Sequence, residues 1–173
     1  MALRKPEAAS STPVPKLPGA RILILEAPYY ANITNPLTAG ARAVIAEAGG
    51  TATQVEVTGA LELPQALAAY VHADRIGRFA GPAKQFDGAI VVGCVIRGET
   101  THYDIVCEQS NHWLMQIAMR HGVPLGNAIL TMENEAQGLA RAAGGAANKG
   151  GDAARACLRI IELERGLKSG PRA

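Results

Sequence analysis

The sequence predicts a three-layer α/β fold, with helices covering both faces of a parallel sheet. Short apolar or β-branched segments alternate with segments of helical periodicity, and brief connections join them. Such alternation is typical of parallel strands linked by right-handed helical crossovers. Composition agrees, since 48% of the 173 residues are apolar, only 4% are aromatic, and 19 are glycines. Small apolar residues favour close packing of helices on a sheet over an aromatic-rich β-sandwich.

An apolar run and a helical repeat mark the first strand and the first helix. The segment RILILE at 21–26 predicts a strand. Apolar residues then recur at helical spacing up to Ala48, which predicts a helix that Asn32 or Thr34 would cap. The pair Gly49–Gly50 ends this helix, because glycine is preferred just beyond a helix C-terminus.

The middle of the chain predicts two more strands around one helix. TATQVEV at 51–57 alternates and is β-branched, which indicates the second strand. After a turn, LPQALAAYVHADRI at 63–76 predicts the second helix, and residues 77–86, with two glycines and a proline, predict a loop. GAIVVGCVIR at 88–97 is continuously apolar, as expected of a strand buried on both faces.

The last third of the chain completes the alternation. A third helix follows from about His102, and PLGNAILT at 124–131 predicts the fourth strand. Two further helices are expected over roughly 133–143 and 149–167.

Three parts of the chain differ in composition. Residues 1–20 are rich in Pro, Ser and Ala and predict a flexible N-terminal arm, which its prolines make a poor partner for strand pairing. We expect residues 21–167 to form one domain and residues 168–173 to form a C-terminal tail.

Charge, hydropathy and cysteines limit the class of protein. The net charge is +2 and no basic cluster follows residue 21, so we expect no nucleic-acid partner. No apolar run reaches the roughly 18 residues of a transmembrane helix, and the N-terminus lacks the apolar core of a signal peptide. Cys94, Cys107 and Cys157 are odd in number and form no CxxC motif, which favours buried thiols in a reducing compartment. We therefore expect a cytoplasmic protein without a membrane partner.

Functional residues are expected just after the strands. Ligands of an open parallel sheet bind beyond the carboxyl ends of its strands. Four segments occupy such positions, and we expect them to share one rim: residues 27–30, 58–62, 97–102 and 131–134.

The segment RGETTH at 97–102 is the most informative of the four. Thr101 and Asp104 fit a capping box, which places a helix start at about His102. The backbone N–H groups of Gly98–Thr101 would then lie at the positive end of a helix, which suits a phosphate. A purely structural interpretation stays open, in which the glycine makes the turn and the threonines cap the helix.

His102 has two interpretations from the residues alone. It is either an exposed polar residue at a helix start or a group that accepts and relays a proton. A metal site is disfavoured, because His112 and His121 are not at the i, i+4 spacing of helical metal ligands.

Other candidates carry similar alternatives. Glu62 either accepts hydrogen bonds from a polyhydroxy or amine substrate or complements a helix dipole. Tyr29 and Tyr30 offer a stacking surface for a heterocycle, or they serve core packing or a subunit contact. Arg141 and Lys149 either neutralise a phosphate or are ordinary surface cations.

Four stretches of the sequence together resemble the lumazine synthase family. The combination of IRGxTxH with GALELP before it and NKG after it is specific, whereas GxTxH alone is not. The similarity extends from about residue 21 to residue 165. The matching stretches are TGALELP at 58–64, VVGCVIRGETTHYDIVCEQ at 91–109, HGVPLGNAILTMENEAQGLARA at 121–142 and NKGGDAA at 148–154.

The resemblance implies a fold, a reaction and an assembly. The fold is a flavodoxin-like sandwich around a four-stranded parallel sheet of order 2-1-3-4. The reaction condenses 5-amino-6-(D-ribitylamino)uracil with 3,4-dihydroxy-2-butanone 4-phosphate to 6,7-dimethyl-8-ribityllumazine, phosphate and water, without metal or organic cofactor. The family forms pentamers, decamers and sixty-subunit shells with active sites between subunits, and we expect a homopentamer here.

The resemblance also implies a role for each matching residue. Tyr29 would stack on the pyrimidine ring, and His102 would transfer protons. The ribityl chain and ring edge would be bound by Gly59, Ala60, Leu61 and Glu62, and the pyrimidine by Cys94, Val95 and Ile96. The phosphate would be bound by the backbone of Gly98, Glu99 and Thr100, with Arg141 as its cation. Lys149 would help bind the ring or phosphate region, and Asn127 would be contributed from the neighbouring subunit.

This sequence departs from the family pattern at three of these positions. Tyr30 stands where many members have Asn, and Asn127 stands where many have Phe. Glu99 places a carboxylate beside the expected phosphate, so its side chain should point away.

A second hypothesis is a non-catalytic lumazine- or flavin-binding protein on the same scaffold. Such a protein would keep stacking residues but would not need a phosphate cradle or a proton-transfer group. The presence of His102, Arg141 and Lys149 favours the enzyme.

Overall fold

A four-stranded, fully parallel sheet of order β2-β1-β3-β4 forms the middle layer of the protein. The structure, a computed structural model, describes residues 13–169. Both the predicted α/β class and the predicted strand order are confirmed. The strands are β1 (Arg21–Glu26), β2 (Thr51–Glu56), β3 (Gly88–Ile96) and β4 (Leu125–Met132). The helices are α1 (Ala31–Glu47), α2 (Glu62–His72), α3 (His102–His121), α4 (Glu135–Ala142) and α5 (Lys149–Lys168), with 3-10 turns at Pro28–Tyr30 and Gly145–Ala147.

Both faces of the sheet are covered. Along β1, Ile22 and Ile24 point into a core shared with α1 and α5, while Leu23 and Leu25 point into a core shared with α2 and α3. All four side chains are fully buried, because successive residues of a strand face opposite sides of the sheet. The same two-sided burial explains the continuous apolar run of β3.

The ends of α1 and α2 differ from the prediction. Helix α1 begins at Ala31 with Tyr30 as its N-cap residue, so neither Asn32 nor Thr34 caps it. The Asn32 amide instead donates to Glu135 at 2.6 Å. Helix α2 ends at His72 rather than at residue 76, because Asp74 takes a left-handed conformation with φ of 56°.

Helix α3 begins at His102 as predicted, but the capping box is wrong. Thr101 has helical backbone angles and makes no side-chain capping bond. The Asp104 carboxylate accepts a hydrogen bond from Arg97 at 3.2 Å. The Asp104 amide bonds to the Thr101 carbonyl at 3.0 Å and not to the Thr101 side chain.

The predicted arm and tail lie partly outside the described residues. Residues 1–12 of the arm and residues 170–173 of the tail are not described. Within the arm, Leu17 packs into the core of α1 and α5, and its amide donates to the Ala48 carbonyl at 2.8 Å. The division into arm, domain and tail stays a prediction. Residues 77–86 contain neither helix nor strand, as predicted.

A buried asparagine fixes the start of α5. The Asn148 Oδ1 accepts from the Gly151 amide at 2.9 Å, and its Nδ2 donates to the carbonyls of Pro36 at 2.6 Å and Ala142 at 3.0 Å. One side chain therefore joins α1, α4 and α5. No helix between residues 13 and 169 is long and apolar enough to cross a membrane.

Candidate active site

A cleft of about 400 Å³ opens beyond the carboxyl ends of β1, β2 and β3. It lies where the strand order changes direction, between β1 and β3, which is the usual ligand site of such sheets. Ten predicted site residues line it: Tyr29, Gly59, Ala60, Leu61, Glu62, Cys94, Val95, Ile96, Gly98 and Thr100. The predicted proton-transfer residue, His102, also lines the cleft.

The segment after β1 supplies an aromatic wall. Pro28 starts a 3-10 turn that carries Tyr29 and Tyr30 to the cleft. The two rings pack edge to face with centroids 5.1 Å apart, and Tyr29 remains 74% exposed. An exposed ring held by a neighbouring ring can stack on a flat heterocycle.

The segment after β2 brings a carboxylate to the cleft. Glu62 is the first residue of α2, where a negative charge complements the helix dipole. A Cβ at Gly59 would lie 3.1 Å from the Glu62 Oε2, so the absence of a side chain at Gly59 makes room for this carboxylate. Both interpretations of Glu62 therefore agree with its position, since it serves the helix start and also faces the cleft.

The loop between β3 and α3 presents unpaired donors. The amides of Gly98, Glu99 and Thr100 donate to no protein group within residues 13–169. The three residues are exposed and precede the N-terminus of the 20-residue helix α3. Free N–H groups at a positive helix end suit an anion such as phosphate.

His102 stands at the junction of this loop and α3. It is exposed, and its amide bonds to the Thr100 Oγ1 at 3.4 Å. His102 lines the cleft and follows the loop with the free amides in the chain, so its imidazole is available to exchange protons with a bound molecule.

Four predicted site residues do not line this cleft, and all are exposed. Glu99 belongs to the loop but is not among the residues that line the cleft, and the orientation expected for its side chain stays a prediction. Asn127 lies in the middle of β4, where its amide donates to Asn111 at 2.6 Å. Arg141, in the last turn of α4, donates to the Gln137 carbonyl at 3.1 Å.

Lys149, the fourth of these residues, opens α5. Its ammonium group pairs with Asp152 at 2.8 Å, and its side chain is 52% exposed. Asn148 holds this end of α5 against α1, so the position of the lysine is set by the buried junction.

Sequence reasoning missed two lining residues, Tyr103 and Val106. The signal was available, since a helix that starts at the cleft places residues one and four positions after His102 near the same edge. The predicted fourth segment, residues 131–134, does not line the cleft. This segment lies next to the start of the loop that follows β3, where Glu133 accepts a hydrogen bond from Arg97 at 2.9 Å.

The cysteine at the cleft is protonated at neutral pH. Burial, with a smaller contribution from the nearby Glu135 carboxylate, raises the pKa of Cys94 to about 11. Burial also raises the pKa of Cys157 to about 12 and, to a lesser extent, that of Cys107. A thiol is a poor nucleophile, so we expect Cys94 to shape the cleft rather than to attack a substrate.

We expect all three thiols of the native protein to react slowly with a disulfide reagent at pH 8. The thiolate is the reactive form, and each raised pKa keeps the thiolate fraction low until the pH approaches the pKa. The rate at Cys94 should therefore rise as the pH is raised from 8 towards about 11. The three thiols should react quickly in denaturant, and fast labelling of Cys94 in the native protein at pH 8 would contradict its assignment as a protonated, buried group.

Between residues 13 and 169, no group of three or more His, Cys, Asp or Glu side chains is placed to hold a metal ion. The cleft carries one imidazole, one carboxylate, one thiol and several hydroxyl groups, beside the free backbone amides, and this set suits proton transfer and anion binding.

Comparison with known proteins agrees with this arrangement. The family model for 6,7-dimethyl-8-ribityllumazine synthase matches residues 19–165. A 6,7-dimethyl-8-ribityllumazine synthase of Methylobacterium radiotolerans is 48% identical over 151 residues, which cover 87% of this chain and 86% of that protein. Enzymes of the same name from Azorhizobium caulinodans and Methylorubrum populi are 45% and 46% identical, covering 95% and 90% of this chain and 98% and 89% of theirs. The chain belongs to the 6,7-dimethyl-8-ribityllumazine synthase family.

Proposed function

We propose that this protein condenses 5-amino-6-(D-ribitylamino)uracil with 3,4-dihydroxy-2-butanone 4-phosphate, the penultimate step of riboflavin biosynthesis. The products are 6,7-dimethyl-8-ribityllumazine, phosphate and water. The observation that carries the proposal is the convergence of the segments after β1, β2 and β3 on one cleft. Two of these segments contain the stretches that resemble the family.

The pyrimidine substrate fits the aromatic and polar side of the cleft. Tyr29 stacks on the ring, because its face is exposed and Tyr30 holds it in place. The backbone of Gly59, Ala60 and Leu61 and the carboxylate of Glu62 bind the ribityl hydroxyls and the ring edge. The backbone of Cys94–Ile96 forms the floor of this site.

The phosphate of the second substrate fits the loop before α3. The amides of Gly98, Glu99 and Thr100 point to no protein acceptor among the described residues and lie at a positive helix end. A phosphate there accepts these hydrogen bonds, and the Glu99 side chain stays outside the cleft. The carbonyl group of the same substrate then lies beside the pyrimidine amine.

The reaction needs two oriented substrates and several proton transfers. The 5-amino group attacks the ketone, and water leaves to form an imine. Removal of a proton from C3 expels phosphate from C4, and the enol that results takes up a proton at C4, which makes C3 a second carbonyl and C4 a methyl group. Attack of the ribitylamino nitrogen on this carbonyl closes the ring with loss of another water. His102 takes and returns protons in these steps, because it lies between the phosphate loop and the pyrimidine site. Holding both substrates in one cleft supplies much of the rate.

We infer that the protein is a homopentamer in which neighbouring copies complete the sites. Arg141 and Lys149 are exposed and lie outside the cleft of their own chain, so their side chains are available to an adjacent copy. Helix α3 also exposes Ile105, Trp113 and Met119, with Met119 at 78%, and exposed apolar side chains of this kind mark contacts between proteins. Sedimentation at several protein concentrations tests the assembly.

We further infer that the protein works in the cytoplasm. Its small substrates are metabolites, and Cys94, Cys107 and Cys157 are all free thiols. A reducing compartment keeps thiols in this state.

The decisive experiment mixes the protein with both substrates and follows lumazine fluorescence together with phosphate release. We expect both signals to rise together and faster than the spontaneous reaction. Binding of the pyrimidine without turnover would support the non-catalytic alternative.

Arg141→Ala should raise the KM for the butanone phosphate by about tenfold or more and change the KM for the pyrimidine little. The reason is the loss of a charge-assisted bond to the phosphate, which is among the stronger hydrogen bonds. Initial rates at varied concentrations of each substrate measure the effect. An unchanged KM for the phosphate substrate would remove the assignment.

A mixing experiment extends this test to the shared site. If Arg141 serves a neighbouring cleft, subunits carrying Arg141→Ala and subunits carrying His102→Ala should recover activity when they are unfolded and refolded together. Mixed assemblies contain some clefts with both residues intact. If assemblies shown to contain both variants do not recover activity, Arg141 and His102 act in the cleft of the same chain.

A further inference from the structure

Arg97, the first residue after β3, contacts side chains from two other parts of the fold. Its Nε donates to both carboxylate oxygens of Glu133, at 2.9 and 3.2 Å, and its Nη1 donates to Asp104 at 3.2 Å. Its guanidinium carbon lies 4.1 Å from the centroid of the Tyr103 ring. The arginine therefore links the end of β3 both to the first turn of α3 and to the connection between β4 and α4.

We propose that Arg97 is a positioning residue, which holds the loop Gly98–Thr101 and the start of α3 in the orientation that the condensation uses. The inference rests on the proposed function and adds a residue to it. Arg97 itself does not line the cleft. It acts through Tyr103, which does, and through the loop that carries His102.

The geometry of the loop supports this role. Arg97 precedes the four-residue loop, and Tyr103 and Asp104 follow it closely, so one guanidinium holds both of its ends. The loop has few other restraints among the described residues. A Cβ at Gly98 would meet nothing within 4 Å, and Thr101 makes no side-chain cap.

The chemistry of arginine suits the position. A planar guanidinium donates in fixed directions along its edges while its face covers an aromatic ring, and a lysine ammonium cannot do both. The hydrogen bond with Glu133 raises the pKa of Arg97 above its usual value, so the group stays charged. Glu133 in turn is followed by Asn134, the N-cap of α4, so the contact also joins the cleft to that helix.

The contacts are partly exposed, with 41% of the Arg97 side chain and 58% of the Glu133 side chain accessible. Exposed ion pairs contribute little to global stability. Loss of Arg97 should therefore disturb the loop and the first turn of α3 while leaving the unfolding transition nearly unchanged. This separation distinguishes a positioning role from a purely structural one.

Arg97→Lys is the test, because it keeps the positive charge and removes the planar guanidinium group with its several fixed N–H donors. We expect kcat to fall by about tenfold, with both KM values changed by less than about threefold, since a displaced catalytic group slows chemistry more than binding. The amides of Asp104 and Ile105, which bond to the Thr101 carbonyl, should exchange hydrogen faster by about tenfold as the first turn loosens.

Arg78→Lys is a matched control. Arg78 also lies over an aromatic ring, with its guanidinium carbon 6.0 Å from the Phe79 centroid, but it sits at the opposite edge of the sheet, between α2 and β3. This variant should leave kcat and the exchange of Asp104 and Ile105 unchanged.

Glu133→Gln should act in the same direction as Arg97→Lys, and the double variant should be no slower than Arg97→Lys alone, because the two residues act as a unit.

Three results would overturn the proposal. Arg97→Lys could match Arg78→Lys in both kcat and amide exchange. It could raise only the KM for the phosphate substrate, which would make Arg97 a direct ligand. It could also lower the unfolding temperature so far that loss of folded protein accounts for the whole fall in kcat. Absence of turnover in the unaltered protein would instead defeat the proposed function, and the exchange comparison would still decide whether Arg97 positions the first turn of α3.

Discussion

His102→Ala is expected to lower kcat by about a hundredfold, since positioned proton transfer contributes on that scale. Imine formation, phosphate elimination and ring closure each move protons, and His102 is the one imidazole among the residues that line the cleft. The KM values should rise by less than about threefold, because stacking on Tyr29 and the loop amides remain. Lumazine fluorescence and phosphate release under saturating substrates measure the loss.

His72→Ala serves as the control for this substitution. His72 is an exposed histidine at the C-terminal end of α2, whereas the cleft lies at the N-terminal end of this helix. Its removal should leave kcat unchanged. If His102→Ala and His72→Ala have the same kcat, His102 is only a polar residue at a helix start, which is the alternative that the sequence alone leaves open.

The sequence was a good guide to the elements that bury apolar surface. Strand β3 is buried on both faces, so its residues form a continuous apolar run, and the order of strands and helices follows from the alternation of two periodicities. The helix ends were less predictable, because side chains that could cap them were engaged elsewhere. Asp104 bonds to Arg97 across the loop, and Asn32 bonds to Glu135, more than one hundred positions away in the chain.

The candidate site divides in the same way. Residues directly after strands, such as Tyr29 and Glu62, reach the cleft because the carboxyl ends of parallel strands share one edge. Arg141 and Lys149 lie on later helices. The pattern of apolar residues in these helices does not indicate whether the two cations face the cleft of their own chain or that of a neighbour. The link between Arg97 and Glu133 depends on the pairing of β3 with β4, which composition and local pattern do not reveal.

The motif NKGG at 148–151 shows that a family motif can be structural. Asn148 is 2% exposed and its amide is fully engaged in joining α1, α4 and α5. A Cβ at Gly40 would collide with the Asn148 side chain, so the glycine lets α1 approach the junction. Of the four motif residues only Lys149 has a side chain available for a substrate, and the junction sets where it points.

Gly150→Ala tests this interpretation, and it should lower the free energy of unfolding by about 3 kcal/mol. An added Cβ would collide with the backbone carbonyl of Leu37 in α1. Backbone cannot rotate away as a flexible side chain can, so α5 would have to move off α1. For a chain of this length the loss corresponds to a fall of about 10 °C in Tm, measured by thermal unfolding at a fixed protein concentration.

Gly166→Ala is the matched control, since it makes the same change in the same helix. A Cβ at Gly166 would meet nothing within 4 Å, and alanine is the better helix former, so Tm should stay the same or rise slightly. The two variants also separate fold from chemistry. Displacement of the α5 N-terminus by Gly150→Ala should weaken catalysis even below its Tm, because Lys149 moves with it, whereas Gly166→Ala should retain full activity. Equal melting temperatures for the two variants would show that α5 does not approach α1 as closely as the Asn148 junction requires.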